Sequence, residues 1–276
     1  MAEASRLGAV FTVAHPGHLA LNFWRYRTLL RYLILRNLRV QYKQSMFGYA
    51  WVLLNPLAQL LVMSFVFSRI LHAPGQSGVP FILFALVGLT PWVFFSNSVA
   101  AAAESISSGG SLITVIYFPR EILTAAAVLT RLIDLAAGLV LLLVVMVWVG
   151  QPVGWSILWL IPILFVQILF TLGLAFPLAA MNLFFRDTRF LVAVGLYLWF
   201  FLTPVMYPVE AVPDEYRMLY DLNPMSRLIS AYRYALLTNV APPIDSLLVA
   251  TLTSLAVLYV GYRIFKKVEP GFADNI

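Results

Sequence analysis

The sequence predicts an all-α integral membrane protein with six transmembrane helices, preceded by an amphipathic helix and joined by short helices that do not cross the bilayer. Hydrophobic residues make up 62% of the 276 residues and charged residues 11%, whereas soluble domains carry about 25% charged residues. The mean hydropathy is +0.88, so there are too few polar groups to cover a globule in water. A helix needs about 20 apolar residues to cross a bilayer, and the chain has room for about six such runs.

Apolar runs between polar breaks mark the predicted spans. They are residues 49–71, 80–103, 132–149, 155–185, 190–207 and 246–264. The fourth run is longer than one straight span and contains Pro162 and Pro177. We therefore expect a kink, a tilt or an interfacial extension there.

The basic residues predict the orientation of these spans. If the N-terminus lies inside, the cytoplasmic segments are 1–48, 104–131, 186–189 and 265–276, and together with Arg263 they hold 14 of the 18 basic residues. Cytoplasmic loops are enriched in Lys and Arg, so both termini are predicted to be cytoplasmic. The first span is expected to act as an uncleaved insertion signal. The net charge of +6 is explained by this orientation, without nucleic acid as a partner.

The first predicted non-spanning helix lies within residues 19–47, which contain no Pro or Gly. On a helix, Arg36, Arg39 and Lys43 share one face, and an apolar set lies roughly opposite: Leu30, Ile34 and Leu38. This pattern predicts an interfacial amphipathic helix with a basic face for lipid headgroups. Arg27 and Arg31 blur the pattern, so a plain basic anchor is the alternative.

The connection 104–121 is too long and too apolar for a simple turn. Residues 107–110 break the preceding helix, and Ser111 can cap a short helix that ends before Pro119. The apolar residues of that helix are Leu112, Ile113, Val115 and Ile116. Such a helix suits docking into the groove of a soluble partner, and the alternative is a helix that lies on lipid.

Residues 207–237 are too polar to span the membrane and too apolar for a free loop. Pro208, Pro213 and Pro224 divide them, and their tyrosines suit the headgroup level. Short re-entrant or interfacial helices fit this segment best. Backbone that is not helical at this depth would have to be covered by protein.

Arg131 and Asp134 stand three residues apart on one helix and can pair. An intramembrane functional pair is one interpretation. The charge-free run begins only after Asp134, so a pair at the cytoplasmic interface is favoured.

Aromatic residues at membrane depth have two interpretations. Packing and interfacial belts are one. The other is a path on which sugar rings slide over aromatic faces, with these candidates: Trp51, Trp92, Phe94, Phe95, Tyr197 and Phe200.

Several kinds of chemistry are missing from the sequence. Without Cys there are no disulfides, thiolate metal sites or thiol nucleophiles. None of the three Lys follows a Gly, so a phosphate-binding loop is absent. His15, His18 and His72 show no metal-ligand spacing, and no metal site is expected. These absences argue against an enzyme and, less firmly, against a proton-driven carrier.

Five ordered blocks resemble ABC-2 type permeases that export polysaccharides. They are LRVQYKQSMFGYAWVLLNPLAQLLVMSFVF (38–67), GLTPWVFFSNSV (88–99), YFPREILTAAAVLTRLID (117–134), NLFFRDTRFL (182–191) and FFLTPVMYPVEAVPDEYRMLYDLNPMSRLISAYRYALL (200–237). They are spread from residue 38 to residue 237, and they look closest to permeases for O-antigen and teichoic acid.

This resemblance implies a homodimer in the bacterial inner membrane, with two copies of a separate ABC ATPase that binds ATP and Mg²⁺. It implies that this chain has no cofactor of its own and moves a lipid-linked polysaccharide. It divides the chain into a cytoplasmic tail with a gate helix (1–48), a transmembrane domain (49–264) and a cytoplasmic tail (265–276). The segment 104–121 would be the coupling helix, and 207–237 would hold the external re-entrant helices.

The resemblance also implies roles for individual residues. The gate helix would carry Arg27, Arg31, Arg36, Arg39 and Lys43. Contact with the ATPase would involve Ser111, Leu112, Ile113, Val115, Ile116, Arg120, Glu121, Arg186 and Asp187. For Arg186 and Asp187, topology control with a local salt bridge is an equal alternative. Other functions left open are a permease for a small hydrophobic substrate or drug, a partner-free channel or secondary carrier, and, as the weakest candidate, a membrane enzyme.

Overall fold

The computed structural model describes residues 16–43, 45–66, 79–109 and 118–272, and every regular element within these ranges is a helix. The first six longer helices are α1 (Pro16–Arg25), α2 (Arg27–Tyr42), α3 (Trp51–Phe65), α4 (Phe81–Ala103), α5 (Glu121–Thr130) and α6 (Leu132–Val149). The next five are α7 (Leu160–Phe184), α8 (Thr188–Phe201), α9 (Asp214–Leu222), α10 (Pro224–Arg233) and α11 (Ile244–Val268).

Four helical stretches in the described ranges are long and apolar enough to cross a membrane. They are Phe81–Ala103, Glu121–Val149, Trp155–Phe184 and Ile244–Phe272. The second joins α5 to α6 through a turn at Arg131, so it begins well before the predicted start at residue 132. The all-helical membrane fold is therefore confirmed.

The first and fifth predicted spans are described only in part or by a shorter helix. The described part of α3 has 15 residues and α8 has 14, whereas roughly 20 cross a bilayer without help. Residues 67–78, which include the end of the first predicted span, lie outside the described residues. A count of six spans remains a prediction.

Helix α4 lies at the centre of the bundle. It contacts α3, α5, α6, α7, α8 and α10, and it is buried over most of its circumference. A helix that is hydrophobic all round belongs in such an interior position. The six surrounding helices therefore pack around α4.

A buried polar network joins three helices at mid-length of α4. Pro91 lies inside this helix, and its carbonyl oxygen accepts a hydrogen bond of 2.8 Å from the Gln167 side-chain amide on α7. The Tyr232 hydroxyl on α10 donates to the Gln167 side-chain oxygen at 2.8 Å. All three residues are buried. A buried amide without partners would be costly in this apolar setting, so the network fixes α4, α7 and α10 together.

The segment predicted to be re-entrant folds as α9, α10 and a π-helical turn, Tyr234–Thr238. Arg233 is buried where α10 ends, and its guanidinium carbon lies 3.8 Å from the centre of the Phe84 ring. Its Nη2 donates to the carbonyl oxygen of Val205 at 2.8 Å. The segment is therefore anchored on α4 and on the chain that follows α8. Whether it dips into the membrane remains a prediction.

Asn239 joins this segment to the connection before α7. Its backbone is left-handed, with φ of 53°. Its side-chain oxygen accepts a hydrogen bond from the Gly154 amide at 2.9 Å, and its side-chain nitrogen donates to the carbonyl oxygen of Pro152 at 2.8 Å. Asn tolerates this conformation better than most residues. Hydrogen bonds therefore hold the connection before α7 against the end of the segment 207–239.

Glycines set the closest approach between α7 and α11. A Cβ atom at Gly173 would lie 2.6 Å from the backbone nitrogen of Leu258, and one at Gly261 would meet the carbonyl oxygen of Gly173. The two backbones touch because neither position carries a side chain, which is a common packing device in membranes.

We expect Gly173→Ala to destabilise the protein by about 1–3 kcal/mol, the usual cost of overfilling a packed interior. Thermal unfolding in detergent, followed by tryptophan fluorescence, measures this as a lower Tm. Gly195→Ala is the matched control, because a Cβ atom there meets nothing within 4 Å. An unchanged Tm for Gly173→Ala would contradict the close contact.

Candidate functional site

A cavity of about 370 Å³ opens between α3, α4, α6 and the end of α2. Trp51 and Asn55 line it from α3, and Gln41 lines it from α2. Arg131 and Asp134 form another part of the wall. A polar and aromatic wall inside an apolar bundle distinguishes this cavity from ordinary packing space.

Helix α4 supplies a polar stripe to the same cavity. Thr90, Asn97 and Glu104 stand seven residues apart, and residues at this spacing share one face of a helix. All three line the cavity, and Asn97 and Glu104 are exposed although most of α4 is buried. Our sequence interpretation missed these residues, although their seven-residue spacing within an apolar run was visible.

Arg131 and Asp134 form an ion pair, with 3.3 Å between Nη1 and Oδ2. The pair lies at the turn between α5 and α6, and its side chains are mostly buried. The Arg131 Nε atom is buried and has no hydrogen-bond partner in the described part of the chain. The pairing predicted from the spacing is thus present, and it faces the cavity.

The aromatic residues predicted to form one path lie in three different places. Trp51 is exposed at the cavity. Tyr197 is exposed on α8 and stacks edge-on against Phe201, with 5.2 Å between ring centres. The other four are Trp92, Phe94, Phe95 and Phe200, which are buried or partly buried within the chain.

Three of the buried rings do not line an open path in this conformation. Trp92 packs 5.5 Å from Phe95 and 5.7 Å from Phe200, measured between ring centres. Phe94 backs the cavity wall, but its side chain is fully buried. Trp92, Phe94 and Phe95 therefore serve as core here, because the interior of α4 is enclosed by its neighbours. Packing, one of the two interpretations, therefore describes Trp92 and Phe95 in this conformation, and a glycan path along aromatic residues stays a prediction.

The residues predicted to contact an ATPase are only partly described. Ser111, Leu112, Ile113, Val115 and Ile116 lie outside the described residues. Arg186 and Asp187 are exposed in the turn between α7 and α8, and neither forms an ion pair within the ranges that the structure covers.

Arg120 and Glu121 lie just after residues 110–117 and form hydrogen bonds and ion pairs with other residues of the same chain. Arg120 is half-buried, and its side chain donates to the carbonyl oxygen of Glu269 at 2.5 Å. The Glu121 side chain has no exposed surface. It therefore cannot contact another subunit directly in this conformation, and any part it has in coupling would act through neighbours in its own chain.

The predicted amphipathic segment forms two helices, α1 and α2, separated at Tyr26. The buried side of α2 does not face open lipid, because Leu33 packs with Phe118 and Ile122 near the start of α5. Its basic residues lie elsewhere: Arg27, Arg31, Arg39 and Lys43 are exposed, and Arg36 is partly exposed. The basic face is therefore available at the surface.

Comparisons with known proteins agree with one another. A family model described as ABC-2 type transporter matches residues 28–237. The O-antigen export system permease protein RfbA of Myxococcus xanthus is 34% identical over 255 residues, which cover 92% of this chain and 97% of that protein. A protein of the same name from Klebsiella pneumoniae is 28% identical, covering 87% of this chain and 91% of its own. The polysialic acid transport protein KpsM of Escherichia coli is 24% identical, covering 86% and 92%.

Thiol labelling can test whether the cavity holds water. The chain has no Cys, so an introduced thiol reacts without background. In membrane vesicles, we expect Asn97→Cys to react with a water-soluble maleimide roughly tenfold faster than its neighbour Ser98→Cys, because reactivity requires exposure. Ser98 is fully buried and serves as the matched control. Equal rates at the two positions would contradict a water-filled cavity.

Proposed function

The chain belongs to the ABC-2 type transporter family, since its match spans residues 28–237, and on this premise we propose that it is the permease subunit of an ABC exporter for a lipid-linked polysaccharide. Relatives named for O-antigen export and for polysialic acid transport align over most of its length. The observation in this structure that carries the proposal is the polar and aromatic cavity beside α4.

The cavity's chemistry suits a segment of glycan. The face of Trp51 can pack against the C–H groups of a sugar ring, while Asn55 and Asn97 can exchange hydrogen bonds with hydroxyl groups. The volume of about 370 Å³ lies in the range of small-molecule sites, roughly 300–1,000 Å³. Three carboxamide side chains, those of Gln41, Asn55 and Asn97, line the cavity, and such groups suit a polar substrate better than a small hydrophobic one.

A second chain supplies the energy in this proposal. The sequence has no Gly-Lys phosphate loop, so ATP and Mg²⁺ would bind to a separate ABC ATPase subunit. The segment 104–121 would seat in that subunit at the cytoplasmic face. Two copies of the ATPase would serve two copies of the permease.

The assembly proposed is a homodimer in the bacterial inner membrane, with both termini in the cytoplasm. Helices α3 and α8 carry exposed apolar side chains, including Leu61 and Phe65 on α3 and Leu191 and Leu198 on α8. Two symmetric copies can enclose a wide polar path more readily than one six-span subunit can.

Filling the cavity tests the proposed function. Ala100 is exposed and lines the cavity. We expect Ala100→Phe to lower surface display of the glycan by about tenfold, equivalent to about 1.4 kcal/mol of lost binding, while the protein still reaches the membrane. Antibody labelling of the surface glycan measures this in cells that express the cognate ATPase and glycan genes.

Ala136→Phe is the matched control, because Ala136 is also exposed on an apolar helix and does not line the cavity. Normal export by Ala100→Phe would remove the cavity from the glycan path. No export by the unmodified chain with its ATPase would contradict the proposed function itself.

The coupling segment has its own test. We expect Ile113→Asp and Ile116→Asp to place charge on an apolar docking surface and to uncouple ATP hydrolysis from export, while the variants remain in the membrane. Export and ATPase activity are measured together in reconstituted vesicles. If export by both variants matches the wild type, the segment does not dock there.

A further inference from the structure

A group of polar side chains meets where the segment after residue 117 enters the helix bundle. We define this polar junction as Asn22, Arg120, Glu121, Tyr262, Lys266 and Glu269. Glu121 is its centre, because it is the first residue of α5 and its side chain is fully buried. The residues come from three separate parts of the chain: α1, the start of α5 and the end of α11 with its 3₁₀ extension Glu269–Phe272.

Each oxygen of the Glu121 carboxylate has a partner on another helix. Oε1 accepts a hydrogen bond of 2.8 Å from the Asn22 side-chain amide on α1. It also lies 3.4 Å from the Tyr262 hydroxyl, which donates to it from α11. Oε2 pairs with the Lys266 ammonium at 2.7 Å. One carboxylate therefore holds α1 and α11 to the start of α5.

Glu269 closes the junction on its other side. Its carboxylate pairs with Lys266 at 2.8 Å. The backbone amide of Arg120 donates to Glu269 Oε1 at 3.4 Å, and the Arg120 side chain binds the Glu269 carbonyl oxygen. The Arg120 guanidinium also lies over the Phe272 ring. Arg120 and Glu121, which lead into α5, are thus both bonded to the C-terminal part of the chain: Arg120 to Glu269 and Glu121 to Lys266.

Helix α2 connects this junction to the cavity. Its side near the junction packs against Phe118 and Ile122 through Leu33, and Gln41 near its other end lines the cavity. The stretch from Leu33 to Gln41 spans about 12 Å at 1.5 Å per residue. One continuous part of helix α2 therefore lies between the start of α5 and the cavity.

We propose that Glu121 is a positioning residue for export, holding the N-terminal helices to the exit of the segment 104–121 so that a displacement of this segment reaches the cavity through α2. This inference rests on the proposed function, in which an ATPase moves that segment. It assigns a carboxylate to the transmission of movement, although the carboxylate contacts neither glycan nor nucleotide.

The chemistry of the junction favours transmission over stability alone. Apolar residues of similar volume often stabilise a fold as well as a buried ion pair does, because both charges lose their hydration. A directional network instead sets one relative position for its helices, since each carboxylate oxygen must stay within hydrogen-bond distance of its donors. Coupling between two sites requires such a defined arrangement.

Asn22 offers the cleanest test, because it is partly exposed and changing it leaves Glu121 paired with Lys266. Asn22→Leu removes the amide donor and keeps the same number and branching of side-chain heavy atoms, and Asn22→Gln keeps an amide donor. Asn37→Leu on α2 is the matched control, because Asn37 is partly exposed and its side chain forms no hydrogen bond with the described residues.

The experiment reconstitutes each permease with its ATPase subunit in vesicles that contain the lipid-linked glycan, and measures ATP hydrolysed and glycan exported. For Asn22→Leu we expect ATP hydrolysis to stay close to the wild-type rate while glycan exported per ATP falls at least about fivefold, the lower end of typical coupling effects. Asn22→Gln should recover most of the coupling, and Asn37→Leu should match the wild type.

Two results would overturn the inference alone. One is wild-type export per ATP in Asn22→Leu. The other is a smaller amount of assembled complex with an unchanged export per ATP, which would show a purely structural contact. A wild-type complex that hydrolyses ATP without exporting glycan would instead overturn the proposed function, and this inference with it.

Discussion

The hydrogen bond from Gln167 to the carbonyl oxygen of Pro91 lies inside the helix bundle, where water cannot serve as a substitute partner. In such surroundings an unpaired amide or carbonyl group costs several kcal/mol. Tyr232 completes the arrangement by donating to the same amide side chain. Helices α4, α7 and α10 are fixed relative to one another by this requirement, and the other helices pack around α4. The polar stripe of α4 can face a cavity only because its other sides are filled.

Two polar regions follow from this arrangement, and α2 packs against the start of α5 and lines the cavity with Gln41. The polar junction gathers Glu121 with partners from both ends of the chain. The cavity collects side chains from α2, α3, α4 and the start of α6. Both regions border the turn and helix that follow the segment 104–121. A transporter driven by a separate ATPase needs a route of this kind between the site where force is applied and the path of the substrate.

Much of this protein could be predicted from sequence, and the failures have a common cause. The apolar runs predict the helices of the bundle well, because composition alone decides whether a segment can lie in lipid. Sequence alone left packing and a glycan path as two open interpretations of Trp92 and Phe95, because hydrophobicity does not tell which side of α4 meets another helix. The resemblance implied that Glu121 contacts the ATPase, whereas its side chain is buried within the chain. Its buried partners were not visible.

The sequence by itself determined the solvent, the helical class and the family, because these depend on composition and on the order of residue blocks. Spacing along one helix also determined the pairing of Arg131 with Asp134. The tertiary structure alone decided which polar groups meet. Asn22 and Lys266 lie 99 and 145 positions from Glu121, and no local pattern relates residues so far apart. Their contact exists because packing brings three helix ends to one place, and the partners gathered there offset the cost of burying a carboxylate.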